Sequence, residues 1–171
     1  MGRWKMVLPY GNSTVIETAV SRALSVVRRV ILVTGFRADE METLFAEHPE
    51  VITRRNDDYR RGMFTSVYTG AAAVTSKRFF VLPGDMPDIS PETYTELLRA
   101  ERAPVILPEY RGKSGHPVLL DDTVGKAILN EPAESSLDKV LEKFPSVGVP
   151  VNDVNILYDI DTDEDYHARI V

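Results

Sequence analysis

Arg78-Phe79-Phe80-Val81-Leu82-Pro83-Gly84-Asp85-Met86-Pro87 is the stretch on which the fold of this chain turns. An apolar run rich in aromatic and branched residues stops abruptly at Pro-Gly and delivers one carboxylate. The run is short enough to be a buried strand rather than a helix. A buried parallel strand ending in this way presents its acid at the carboxyl edge of a sheet, where open α/β sheets bind their ligands. Far downstream, Tyr158-Asp159-Ile160-Asp161-Thr162-Asp163-Glu164-Asp165 repeats the device, with acids at a second strand-to-helix junction. Brought together, two such acids make a site for a hard divalent cation and its phosphates.

Outward from that stretch, strands and helices alternate. Residues 13–27 carry apolar residues at Val15, Ile16, Ala19, Val20, Ala23, Leu24 and Val27, a helical spacing, and Thr14 with Glu17 has the offset of a capping box. Residues 30–35 form a β-branched run closed by Gly35. A crossover helix is expected over 38–47, a strand over 51–53 and a small-residue helix over 63–74. After the strand 79–82 comes a helix over 91–100, with Ser90 as N-cap and Pro91 in its first turn. Strands at 105–107 and 117–120 flank a Gly-rich loop. Helical patterns follow at 123–130 and 137–143, strands at 147–151 and 156–160, and a helix from Asp163. The order predicts an α/β fold of three layers, Rossmann-like, with a mainly parallel, mixed sheet. No linker, repeat or composition break interrupts it, so residues 1–171 are expected to form a single domain.

The bulk properties narrow the function. Of the 171 residues 43% are hydrophobic and 27% charged, ordinary for a globular protein. A net charge of −6 argues against non-specific binding to nucleic acid or membrane, which requires a basic field. The chain has no cysteine, which excludes disulfides, thiolate nucleophiles and Cys-ligated zinc and suits a reducing cytoplasm. No apolar run approaches the roughly 20 residues of a membrane span. No His cluster with metal-ligand spacing and no Ser-His-Asp set is visible.

Met1-Gly2-Arg3-Trp4-Lys5, Leu8-Pro9-Tyr10-Gly11, Pro83-Gly84-Asp85-Met86-Pro87, Gly115-His116-Pro117 and Asp159-Ile160-Asp161-Thr162, in this order, resemble the MobA-like nucleotidyltransferases. The nearest branch is the molybdenum cofactor cytidylyltransferases and molybdenum-hydroxylase accessory proteins. The family's signature begins earlier, with a strand, a Leu-Ala-Ala-Gly turn and a Ser-x-Arg-Met-Gly stretch. This chain resembles it from Met-Gly onward, and the domain is therefore expected to be N-terminally incomplete. It also has Leu129-Asn130-Glu131-Pro132-Ala133-Glu134-Ser135-Ser136 where that branch commonly has Gly-Asp-x-Gly-Ala-Arg.

The resemblance implies transfer of a nucleoside monophosphate, CMP favoured, from a triphosphate such as CTP to a phosphorylated acceptor such as molybdopterin, with Mg2+ as the metal. It assigns Asp85 to the metal that bridges to the α-phosphate and Lys5 to the triphosphate charge. Asp161 is the second candidate ligand, with Asp159 as the alternative; strand alternation puts both on one side and does not choose between them. Gly2, Lys5, Asn56, Gly62, Ser66 and Gly84 are the implied nucleotide contacts, and Lys113, Gly115 and His116 the implied acceptor contacts. A lone histidine is more often structural, so His116 is weighed as a contact and not as an acid or base. Competing readings are an inactive cofactor-binding or maturation partner of a molybdenum hydroxylase, and a sugar-phosphate nucleotidyltransferase.

Overall fold

The structure, a computed structural model, describes residues 4–170. After a short 3₁₀ turn at Lys5–Val7, the strands and helices run in chain order β1 (Pro9–Tyr10), β2 (Ser13–Thr14), α1 (Val15–Leu24), β3 (Val30–Thr34), α2 (Ala38–Leu44), β4 (Val51–Arg55), α3 (Met63–Ala73), β5 (Arg78–Val81), α4 (Pro91–Arg99), β6 (Val105–Tyr110), β7 (Lys113–Ser114), β8 (Val118–Asp121), α5 (Asp122–Leu129), α6 (Leu137–Leu141), β9 (Ser146–Pro150) and α7 (Asp163–His167).

The helix starts follow local chemistry. Thr14 and Glu17 form the expected capping box, the Thr14 hydroxyl accepting from the Glu17 N–H while the Glu17 carboxylate accepts from the Thr14 N–H at 2.9 Å. Thr14 is therefore the cap and not the first turn. Ser13 and Thr14 instead pair with Pro9–Tyr10 in a small hairpin that the apolar periodicity does not reveal. Ser90 caps α4 with Pro91 behind it, and Asp121 caps α5 by accepting from the Thr123 and Val124 N–H groups.

The larger sheet is mixed. β8 lies between β5 and β6 and runs antiparallel to both, while β9 extends β6 in parallel. β5, β6 and β9 thus point one way, and β8 is the strand returning from the tight turn through β7. The expectation of a parallel ladder at 79–82 is corrected here: the ladder of β5 is antiparallel, because that return strand is its neighbour. Side chains alternate strictly across the sheet. Val105, Val118 and Leu120 face α3 and α5 through Phe64, Val124 and Ile128, whereas Ile106 and Leu119 face Leu97 of α4. Helices on both faces give the three layers.

β3 and β4 form a separate parallel pair. Val30 and Leu32 pack on Ile16, Val20, Met41 and Phe45 from α1 and α2, and Val33 meets α3 at Gly70. α1 also reaches the β5 side, where Ala23 joins Phe80, Leu82 and Tyr94. α1 and α3 therefore pack against both sheets. Among the described residues no helix is long and apolar enough to cross a membrane.

A second correction concerns 156–160. The expected strand is a 3₁₀ turn, Val154–Leu157, followed by extended chain without a ladder. Its backbone groups bond elsewhere: the Ile156 carbonyl accepts from the His116 N–H at 2.9 Å, and the Ile160 N–H donates to the Asp85 carbonyl at 3.0 Å. These two bonds bring the acidic tail to the end of β5.

Candidate active site

Asp85 sits in the turn that follows β5, with its side chain 14% exposed. The adjoining Gly84 is fitted by close approach, since a Cβ there would lie 2.9 Å from Ile16 Cδ1. The bond from Ile160 to the Asp85 carbonyl sets the opposing segment, and α7 fixes its far end. There the Thr162 hydroxyl accepts from the Asp165 N–H, and the Asp165 carboxylate accepts from the Thr162 N–H at 2.8 Å. Asp161, 64% exposed, is thereby held opposite Asp85.

Lys5 joins them. Its Nζ donates to Asp85 Oδ2 and to Asp161 Oδ1, each at 2.7 Å. Partial burial alone would lower the ammonium's pKa, but the hydrogen bonds and charges of Asp161 and Asp85 outweigh it and raise it above the usual lysine value. The segment carrying Lys5 is anchored on both sides: Trp4 stacks edge-on against Phe36 with the Arg37 guanidinium 4.7 Å from its ring, and Leu8 is buried.

Asp85, Asp159 and Asp161 each offer a carboxylate oxygen within 4.8 Å of the others, so the two alternatives of the sequence reading belong to one cluster. Asp85 Oδ1 is buried and has no hydrogen-bond partner among the described residues. A buried carboxylate oxygen left so is costly unless a cation completes it. Hard oxygen donors of this kind fit Mg2+ or Mn2+ and not a soft metal.

The remaining expected residues are distributed around this centre. Gly2 lies outside the described residues. Asn56 is buried, and its amide donates to Thr65 Oγ1 and Ser66 Oγ at 2.9 Å while its carbonyl accepts from the Asp58 N–H. It holds the 56–62 loop onto α3, with Ser66 half-buried beside it. Gly62 is the N-cap of α3 at φ 126°, a backbone region that favours glycine. Gly115 is required by packing, because a Cβ would overlap the Ile156 carbonyl oxygen. Lys113 is exposed on β7.

His116 borders a cavity of about 680 Å³ that opens beside Asp159. Burial lowers the pKa of its imidazole, against a weaker upward pull from a hydrogen bond to the Val81 backbone and from Asp138, Asp85 and Asp159. The ring is therefore neutral near pH 7. Its Nδ1 is buried without a partner among the described residues. The cavity also borrows Met63, 78% exposed, and two acids of the 137–143 region, Asp138 and Glu142. Sequence reasoning passed over those acids. Their signal was the four-residue spacing that sets them on one side of the helix, beside the apolar positions Leu137, Val140 and Leu141.

Comparison with known proteins agrees with this architecture. Residues 1–147 match the model of the MobA-like NTP transferase domain. A curated relative, molybdenum cofactor cytidylyltransferase of Escherichia coli K12, is 31% identical over 166 residues, covering 97% of this chain and 86% of the relative. Among solved structures, a nucleotidyl transferase from Methanothermobacter is 26% identical with a TM-score of 0.82, covering 96% of this chain and 83% of that one. Rv0371c of Mycobacterium tuberculosis, solved in complex with manganese, has the same TM-score at 22% identity, covering 99% and 92% of the two chains, a likeness of fold. The chain belongs to the MobA-like NTP transferase family of nucleotidyltransferases.

Proposed function

We propose that this protein transfers a nucleoside monophosphate, CMP in preference to others, from a triphosphate to a phosphorylated acceptor such as molybdopterin or its molybdenum form. The observation that carries the reading is the meeting of Asp85, Asp161 and Lys5, residues distant in sequence, at the carboxyl end of β5. The 31% identical relative named as a cytidylyltransferase supports the choice of CTP.

In the reaction an oxygen of the acceptor phosphate attacks the α-phosphorus, the bond from that phosphorus to the bridging oxygen breaks, and pyrophosphate leaves. The acceptor phosphate is already ionised, so no general base is required. That suits a centre of carboxylates and a lysine in which the one nearby histidine is neutral. The barrier lies in charge repulsion and alignment. Asp85 and Asp161, with Asp159, would hold Mg2+, which supplies charge neutralisation on the phosphates. Lys5, raised in pKa and anchored through Trp4, stays cationic throughout the neutral range and offers its ammonium to the triphosphate. The 56–66 loop, its shape held by Asn56 and Gly62, supplies the rim expected to face base and sugar. A molybdenum hydroxylase is the consumer this reading implies.

The test is pyrophosphate release from CTP, GTP and ATP, each with Mg2+ and candidate acceptors. We expect CTP to be preferred and Asp85→Asn to lower the rate by about a hundredfold or more. Absence of release with every triphosphate and acceptor would end the proposal.

A further inference from the structure

The cavity beside His116 has a charge pattern that the phosphate chemistry does not explain. Its floor is apolar, with Met86, Leu107, Val118 and Phe144 among the residues that line it. Besides His116, the ionisable side chains in its lining are the carboxyl groups of Asp138, Glu142 and Asp159, with no lysine or arginine among the described residues. An acceptor gripped by its phosphate alone would call for cations here. Three neighbouring acids in this part of the chain are neutralised: Glu131 by Lys143, Glu134 by Arg61 at 2.6 Å, and Asp122 by Lys126 at 3.0 Å. Asp138 and Glu142 have no ion pair or side-chain hydrogen bond among the described residues, although they stand four residues apart on one helical turn. Like charges so placed repel by a few tenths of a kcal/mol. Ionised carboxylates are acceptors only. His116 adds a polar atom to the lining: its buried Nδ1 has no hydrogen-bond partner among the described residues.

From this arrangement we infer that Asp138 and Glu142 are specificity-determining residues that read adjacent N–H donors on a flat heterocyclic acceptor, at the end remote from its phosphate. The inference rests on the transfer reaction proposed above, because the cavity joins the Asp85 centre through Asp159, which lines both. A planar ring covers the apolar floor, and an edge bearing a ring N–H next to an amino group meets the two carboxylates in charge-assisted bonds. A sugar phosphate offers neither the apolar face nor that edge.

The test compares two fluorescent rings of equal shape in the full chain. Pterin carries the amino group beside its ring N–H; lumazine carries a carbonyl in place of that amino group. Fluorescence titration should show pterin binding tighter than lumazine by on the order of tenfold, the worth of one hydrogen bond to a charged group. In the double variant Asp138→Asn, Glu142→Gln the preference should fall to near unity, while Mn2+ binding followed by electron paramagnetic resonance stays unchanged. Both side chains are exposed, so the variant keeps its fold, which circular dichroism verifies. Failure of pterin to bind, equal binding in the unaltered protein, or a preference that survives the double substitution overturns the inference. Pterin preference without pyrophosphate release from any triphosphate would sink the transfer reaction and leave the reading of the cavity standing.

Discussion

Lys5 is the residue in which the chemistry of this site is most concentrated. Its ammonium bonds the same Asp85 and Asp161 carboxylates that a divalent cation would need, so lysine and metal compete for them. Each charge-assisted bond is worth about 1.5–3 kcal/mol. Lys5→Met should therefore tighten Mn2+ binding without nucleotide by about tenfold or more, yet lower transfer because the triphosphate loses a cation. Manganese titration of both proteins decides it; equal affinities would show that Lys5 does not guard the site. Since the folded pKa is raised, the lysine's contribution to stability is complete below its unfolded pKa of 10.5 and is lost only as pH rises through the folded value. The competition is accordingly flat across neutral pH. His116 behaves oppositely. Its folded pKa is depressed, chiefly by burial, so below the ordinary value of 6.5 the unfolded chain gains a proton that the folded chain refuses. Stability should decline as pH falls from about 6.5 toward 5, by at most about 1.4 kcal/mol per pH unit from this group. Denaturant melts of His116→Gln should lack that slope, and an unchanged slope would place its origin elsewhere.

At the scale of elements, the extended segment after the Val154–Leu157 turn matters more than any strand, because it carries Asp159 and Asp161 to Asp85. Gly115 permits its approach. In Gly115→Ala the new methyl would meet the Ile156 carbonyl oxygen, which is backbone and has no rotamer into which to escape. We expect a loss of about 1–3 kcal/mol, together with weaker Mn2+ binding as the acids are displaced. A melt and a metal titration that both match the unaltered protein would remove this segment's claimed role. The same segment marks where sequence reading stopped. The acids at 85, 159 and 161 were legible because acids at abrupt strand ends are a local pattern. Capping boxes and proline at a helix start are local too, and α1 and α4 begin where such signals place them. The 156–160 run is mostly apolar and reads as a strand, but its N–H and C=O groups bond across elements to Asp85 and His116, information that no window of sequence contains. The inward turn of Asn56 and the cavity-facing side of α6 were hidden for the same reason. Both depend on which neighbour the fold supplies.

For the molecule as a whole, stability is unevenly shared between the two sheets. Val105, Ile106 and Leu120 of β6 and β8 are fully buried, and β6 has ladders to β7, β8 and β9. Among the described residues β3 pairs with β4 alone, and its residues from Val30 to Val33 are only half-buried despite their branched, apolar character. A two-stranded pair is marginal unless helices cover it, and here α1, α2 and α3 provide that cover. The site lies across this division: Lys5 is tied through Trp4 to Phe36 and Arg37, just beyond β3, while Asp85 follows β5 of the larger sheet and Asp161 is held beside it through the Ile160 bond to the Asp85 carbonyl. Local opening of β3–β4 would therefore draw Lys5 away from the carboxylates before the main core yields. Native-state hydrogen exchange should show β6 and β8 amides protected close to the global unfolding free energy, with β3 and β4 opening at lower cost. Adding Mg2+ with CTP should then slow exchange in β3 and β4 more than in β6, because a triphosphate held by Lys5 and the acids joins the two parts. Equal protection of all four strands, or a ligand effect spread evenly over them, would show that the sheets open as one unit and that Lys5 does not couple them.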